Sequence, residues 1–217
     1  FLNGATKPTQ ISLKNNLFKL AKQNNYKTYF ISAQNTNYLK YINPYLSNAI
    51  DSKKILGTQD DKHLLEELSS IDFSKKSFVV LQMQGAHSPY TYHNKKITKS
   101  IHDNYDKCIN KTNNILNTIK EKYTKQLIIY TSDHGENLGE NNTYGHNRFS
   151  KYVYKVPLVV LDNNKSITDN INSHKHLYDY VYFKLGFSQR YKKSNQTITI
   201  YGTMITGEDG YITINEK

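Results

Sequence analysis

A short apolar run, Leu127-Ile128-Ile129-Tyr130-Thr131, stops at Ser132-Asp133-His134-Gly135-Glu136. Its β-branched and aromatic residues make it a buried strand. Asp133 and His134 follow the C-terminal end of that strand, where open α/β sheets place their active sites. A carboxylate beside an imidazole is a pair of hard and borderline metal ligands. Gly135 permits a sharp backbone turn next to them.

Strands and helices alternate on both sides of this stretch. Helical spacing predicts a short helix over residues 13–24, another over 60–68 and a long one over 100–123. In the long helix Ile101, Tyr105, Cys108, Ile109, Thr112, Leu116, Ile119 and Tyr123 share one face. Strands are expected at 26–32, 77–83, 126–131 and 156–161, with Pro157 placing the last at a strand start or a sheet edge. Residues 38–54 fit no single pattern. Residues 137–155 read as a long polar loop rich in Asn and Gly, a kind that is usually functional or disordered. A helix over 173–185 stops at Gly186. Two period-two segments, 197–205 and 211–215, read as a closing hairpin. The sum is one α/β sandwich with a mixed sheet, spanning residues 1–217 as a single domain.

The 217 residues suffice for one substantial core, and 37% hydrophobic content with 19 Tyr marks a globular chain. The formal charge of +11 suits nucleic acid, an anionic membrane surface, or no specific partner. A nucleic-acid-binding module is the non-enzyme alternative, supported by charge and tyrosines. No G-x-x-G, RNP-like or helix-turn-helix pattern accompanies them, so no nucleic-acid partner is expected. The single cysteine, Cys108, excludes an internal disulfide and falls in the apolar helical stripe, as a core residue would. No run of 18 apolar residues is present. The chain begins at Phe1 without Met, which suggests a piece of a longer protein.

Two predicted strands end in histidine-bearing loops, with His87 after one and His134 after the next; His146 lies in the long loop beyond. Neighbouring strand ends would bring His87, Asp133, His134 and His146 into one binuclear metal or phosphate site. His63, His93, His102, His174 and His176 carry no such context.

Ser132-Asp133-His134-Gly135-Glu136-Asn137-Leu138-Gly139-Glu140, followed by Tyr144-Gly145-His146, resembles the signature of bacterial phosphoethanolamine transferases in the alkaline phosphatase and sulfatase superfamily. Gly85-Ala86-His87-Ser88-Pro89-Tyr90 is similar to that family's second histidine motif. Asn104-Tyr105-Asp106 at the start of the long helix is similar to a third, and residues 16–28 to the helix–strand unit before them. The resemblance implies an alkaline phosphatase/sulfatase-like α/β sandwich, with a central mixed, mostly parallel sheet and a C-terminal hairpin.

Carried over by that resemblance, Asp133 and His134 would ligate the catalytic zinc. His87 and His146 would contact the phosphoryl group or a second zinc. Glu136 and Tyr105 would support them, and Asp106 would orient its helix or a neighbour rather than bind metal. The family's threonine nucleophile and a further acidic ligand are expected before Phe1; Thr6 and Thr9 lack the family's context. With two of its ligands and no nucleophile, the chain alone is expected to be inactive and to hold zinc weakly. Its cysteine content would put it in a cysteine-poor branch. The implied reaction moves phosphoethanolamine from phosphatidylethanolamine, through a covalent threonine intermediate, to lipid A or another envelope glycan. The implied location is the bacterial inner membrane, with this domain in the periplasm and an anchor before it. A sulfatase or phosphodiesterase of the same superfamily, or a lipoteichoic-acid-synthase-like glycerol phosphate transferase, would share these residues.

Overall fold

Leu17, Phe18, Leu20 and Ala21 lie on one face of a short helix, and all four are buried. This is α1 (Leu17–Gln23). It starts where Asn16 accepts the Phe18 backbone N–H at 2.9 Å, a side-chain cap that satisfies one of the orphan donors of a helix start. In the computed structural model the described residues are 15–35, 48–57, 60–90, 99–146, 150–166, 171–188, 197–201 and 211–215. They fall into two compact units, Asn16–Tyr123 on the one hand and Thr124–Lys217 with Phe1–Asn15 on the other.

The unit Asn16–Tyr123 is built on three parallel strands, β1 (Lys27–Ser32), β2 (Ser52–Ile55) and β3 (Ser77–Gln82), in the order β2-β1-β3. Parallel neighbours require crossovers; α2 (Lys62–Ser69) lies between β2 and β3 in the chain. Phe18 of α1 meets Phe30 of β1 and Phe78 of β3 edge-to-face, with centroids 6.4 and 5.4 Å away. Leu64 and Leu68 bury the inner face of α2. The long helix α3 (Ile101–Lys122) starts at its Ser100 cap and buries Asn104, Cys108, Thr112, Ile115 and Ile119 at helical spacing. Cys108 is a core residue, its thiol pushed up by burial and directed at the Tyr90 carbonyl.

The other unit contains β4 (Leu127–Thr131), the ladders β5 (Asn137–Leu138) and β6 (Tyr144–Gly145), α4 (Lys151–Tyr154), β7 (Leu158–Asp162), β8 (Lys165–Ser166), α5 (His174–Lys184), β9 (Thr197–Tyr201) and β10 (Tyr211–Asn215). Its three-stranded sheet, β4-β7-β8, is antiparallel throughout, with Thr131 opposite Leu158 and Leu127 opposite Asp162. β7 starts just after Pro157, which has no N–H to give a ladder. Val160 of β7 and Leu177, Val181 and Leu185 around α5 are buried. β9 and β10 pair antiparallel as the expected hairpin, Thr197 opposite Asn215; the predicted turn over 206–210 lies outside the described residues. No helix among the described residues is long and apolar enough to cross a membrane.

The α/β class and the main strands are as expected. The expected loop over 137–155 instead contains two short strands, a 3-10 turn at Glu140–Asn142 and α4. The cause is local. Gly139, Asn141, Asn142 and Gly145 all take positive φ (126°, 52°, 56° and 81°), a region that glycine enters freely and asparagine more readily than most residues. The same Asn and Gly content that suggests a loop therefore builds a tight, hydrogen-bonded reversal. Strand β4 is half-buried along its length rather than fully buried, because one antiparallel ladder does not cover both faces.

Candidate metal centre

Past Thr131 the backbone tightens. Ser132 Oγ donates to the His134 carbonyl at 2.7 Å, and the His134 N–H donates to Asp133 Oδ1 at 3.0 Å. The Gly135 N–H then donates to the Val153 carbonyl at 2.7 Å. A Cβ on Gly135 would lie 2.1 Å from the Tyr152 carbonyl oxygen. Glycine is required there by the close approach of α4's backbone; its φ is not in the left-handed region. Ser150 caps α4, accepting the Tyr152 N–H at 3.2 Å.

Glu136 is followed at once by the reversal. Asn137 pairs with Gly145, Leu138 with Tyr144, and Asn137 Nδ2 donates to the Gly145 carbonyl at 2.8 Å. Glu140 Oε2 closes the turn by accepting the Leu138 N–H at 2.6 Å. The reversal returns His146 to Glu136. His146 Nδ1 lies 3.2 Å from Glu136 Oε1, and the His134 and His146 rings stack at 3.9 Å between centroids, tilted by 30°.

His134, Glu136 and His146 each offer a ligand atom, and these atoms all lie within 4.8 Å of one another. Geometry sets the tautomers of the neutral rings. His134 Nδ1 is 2.8 Å from the Gly135 carbonyl, which can only accept, so Nδ1 carries the proton and Nε2 keeps a lone pair. The Glu136 carboxylate selects the same tautomer in His146. A histidine whose other nitrogen donates to a carbonyl or carboxylate is the usual supporting arrangement for a metal ligand. The Glu136 side chain is only 7% exposed, and a carboxylate so enclosed calls for positive charge or donors around it. Two imidazoles and a carboxylate fit a borderline divalent cation.

Asp133 is placed differently. Its side chain is 89% exposed, with Oδ2 3.9 Å from His134 Nε2. Two ligands at zinc distances in tetrahedral geometry would be roughly 3.3 Å apart, so a small side-chain rotation suffices for both to grip one ion. Asp133, His134, Glu136 and His146 are thus in one unit within a short stretch of chain.

His87 and Tyr105 belong to the unit Asn16–Tyr123. His87 follows β3, with Nδ1 2.5 Å from the Ser88 carbonyl. Tyr105 packs edge-to-face on Tyr90, centroids 5.4 Å apart. Asp106 is exposed on α3. Thr6 and Thr9 lie outside the described residues.

Two residues without a role in the sequence analysis each hold a backbone group near a candidate site residue of their own unit. Asp61, 1% exposed, accepts the Gln84 and Gly85 backbone N–H groups at 2.6 and 2.9 Å, at the root of the His87 loop. His174 Nε2 lies 2.9 Å from the Ser132 carbonyl, and burial holds its pKa below the ordinary 6.5. One signal does mark His174: it follows Ser173, whose side chain accepts the His176 N–H at 3.2 Å. A first-turn side chain leans toward the helix start.

Residues 5–198 match the family model for sulfatases. No curated protein sequence matches the chain significantly. Among solved structures, the C-terminal periplasmic domain of EcEptC from Escherichia coli superposes with a TM-score of 0.58 at 18% identity, covering 69% of this chain and 52% of that one. The lipoteichoic acid synthase LtaP from Listeria monocytogenes gives a TM-score of 0.49 at 12% identity, covering 74% and 48%. The chain therefore spans about half the length of these solved domains.

Proposed function

The chain belongs to the sulfatase family, and from that membership we propose that it is part of a zinc-dependent transferase of phosphoethanolamine. The donor is phosphatidylethanolamine and the acceptor lipid A or another envelope glycan. The observation that carries this reading is the His134–Glu136–His146 cluster, set inside the Ser132-to-His146 motif that resembles the phosphoethanolamine transferases.

In this reading Asp133 and His134 hold the ion. Glu136 keeps a proton of His146 on Nδ1, so that the Nε2 lone pair faces a second ion; contact with a phosphoryl oxygen instead requires a proton on Nε2 as well. His87 makes a further phosphoryl contact. Zinc, when bound, supplies Lewis-acid polarisation of the phosphoryl group. The surplus of positive charge, +11 over the chain, favours work beside anionic headgroups. A periplasmic location would match that of the Escherichia coli domain, which is periplasmic.

The test is transfer of a fluorescent phosphatidylethanolamine headgroup by the whole protein to lipid A, beside hydrolysis of an aryl sulfate. Transfer that disappears in Asp133→Ala, His134→Ala and His146→Ala supports the reading. Sulfate hydrolysis without transfer assigns the chain to the sulfatase branch instead. Zinc content and transfer unchanged in both Asp133→Ala and His134→Ala sink the ligand assignment.

A further inference from the structure

The peptide joining Ser132 to Asp133 is the first beyond the β4–β7 ladder, whose last pair is Thr131 and Leu158. The Ser132 carbonyl therefore lies beyond the ladder, where Thr131 Oγ1 donates to it only at a long 3.4 Å, and a part-buried carbonyl calls for a closer donor. His174 brings one from a different element. Its Nε2 is 2.9 Å from that oxygen and 3.4 Å from Thr131 Oγ1. A carbonyl only accepts, so Nε2 carries the proton.

The donor stands on a firm base. His174 is the first residue of α5, whose start is fixed by the Ser173 cap. Leu177, Val181 and Leu185 anchor that helix in the interior. On the other side, Ser132 Oγ ties the same residue to the His134 carbonyl at 2.7 Å. Ser132 is thus held at both its carbonyl and its hydroxyl, and rotation of the Ser132–Asp133 peptide would swing Asp133 and His134 together.

We propose that His174 is a positioning residue for the Asp133–His134 ligand pair, acting through the Ser132 carbonyl rather than by touching the metal. This rests on the metal-centre reading above. Its role requires an N–H donor at the Nε2 position; glutamine can supply one there, and leucine or methionine cannot.

The test is zinc affinity of the chain, by competition with a chromophoric chelator, for wild type, His134→Ala, His174→Leu and His174→Gln. His174→Leu should bind zinc about tenfold more weakly than wild type, and His174→Gln within about threefold of it, since supporting hydrogen bonds contribute at this scale. Equal affinity of His174→Leu and wild type overturns the proposal. Equal weakness of His174→Leu and His174→Gln overturns it too, by reducing His174 to a packing residue. Should His174→Leu not fold, His174→Met replaces it. Should neither fold, His174→Gln decides alone, with a loss beyond about tenfold counting against the proposal. His134→Ala separates the two readings: zinc binding as tight as wild type in that variant removes the metal centre itself, and this inference with it. A loss in His134→Ala with none in His174→Leu removes this inference only.

Discussion

The Asp61 carboxylate accepts the Gly85 backbone N–H at 2.9 Å, and its other oxygen takes the neighbouring N–H of Gln84 at 2.6 Å. Asp61 stands at the start of α2, where an aspartate ordinarily caps its own helix, yet it makes no side-chain cap bond. Asp60 accepts the Lys62 N–H instead, at 3.2 Å. The buried carboxylate is turned across to the loop that leads to His87. Asp61→Asn keeps the shape but opposes an amide N–H₂ to one of two donors. It should lower stability by about 1–3 kcal/mol, the range for losing a buried charged hydrogen bond. Urea denaturation of the variant beside Asp60→Asn checks this; the Asp60 change should cost less, because that group is partly exposed.

Gly135→Ala and Gly85→Ala separate two reasons for glycine. At Gly135 an added methyl would collide with the backbone oxygen of Tyr152, and fixed backbone cannot yield cheaply. The expected loss is about 1–3 kcal/mol, with weaker zinc binding because His134 is displaced. At Gly85 there is open space but φ is +57°, so the cost is about 1 kcal/mol of left-handed strain. Thermal melts of the pair test the order, and zinc titration should respond to the Gly135 change alone.

Glu136→Gln retains an acceptor for His146 but removes the negative charge. Zinc affinity should fall about tenfold or more, as it does when supporting carboxylates are removed. Glu136→Ala should fall further, since the His146 ring also loses its orientation. Chelator competition reads both, and an unchanged affinity in Glu136→Ala would exclude Glu136 from the centre.

Asp51 sets an acid-side dependence in the other unit. Its pKa is held below the ordinary 3.8, chiefly by the Lys22 ammonium at 2.6 Å and then by the Thr28 N–H. A depressed carboxylate pKa means the unfolded chain binds more protons as pH falls. The contribution of Asp51 is therefore complete above about pH 4 and declines as pH drops through its folded pKa. Asp51→Asn should flatten the pH dependence of stability below about pH 4. Melting temperatures between pH 2 and 6 test it, and identical slopes for wild type and variant would refute it.

What the sequence makes legible follows from how local each cause is. The α3 helix announces itself because Cys108, Thr112 and Ile119 of its stripe recur at helical spacing and are buried, and the β4 run because its apolar residues are contiguous, although they are only half-buried. The place of Asp133 and His134 just past the end of β4 is legible because the strand and the pair adjoin in sequence. β2 (Ser-Lys-Lys-Ile) escapes notice because it has little apolar pattern of its own and takes its register from β1. The β5–β6 reversal escapes because Asn and Gly signal a break in regular structure, while the pairing depends on positive φ at particular positions. Asp61 and His174 escape for a different reason. Each acts on a backbone group far along the chain, 23 residues away for Asp61 and 42 for His174, and side-chain-to-backbone bonds at such separation leave no spacing to read.

The β5–β6 reversal has a kinetic meaning. It joins Glu136 to His146 across an interval of ten residues, and closing so short a loop costs little chain entropy, with each doubling of length adding only about 0.6 kcal/mol. Contacts this close in sequence also form quickly, whereas pairings between distant strands are slow. The cluster that can hold a cation is thus of low contact order, assembled within one contiguous segment. Metal added during refolding would report the closure of that segment, ahead of any signal from the long-range ladder between β4 and β7.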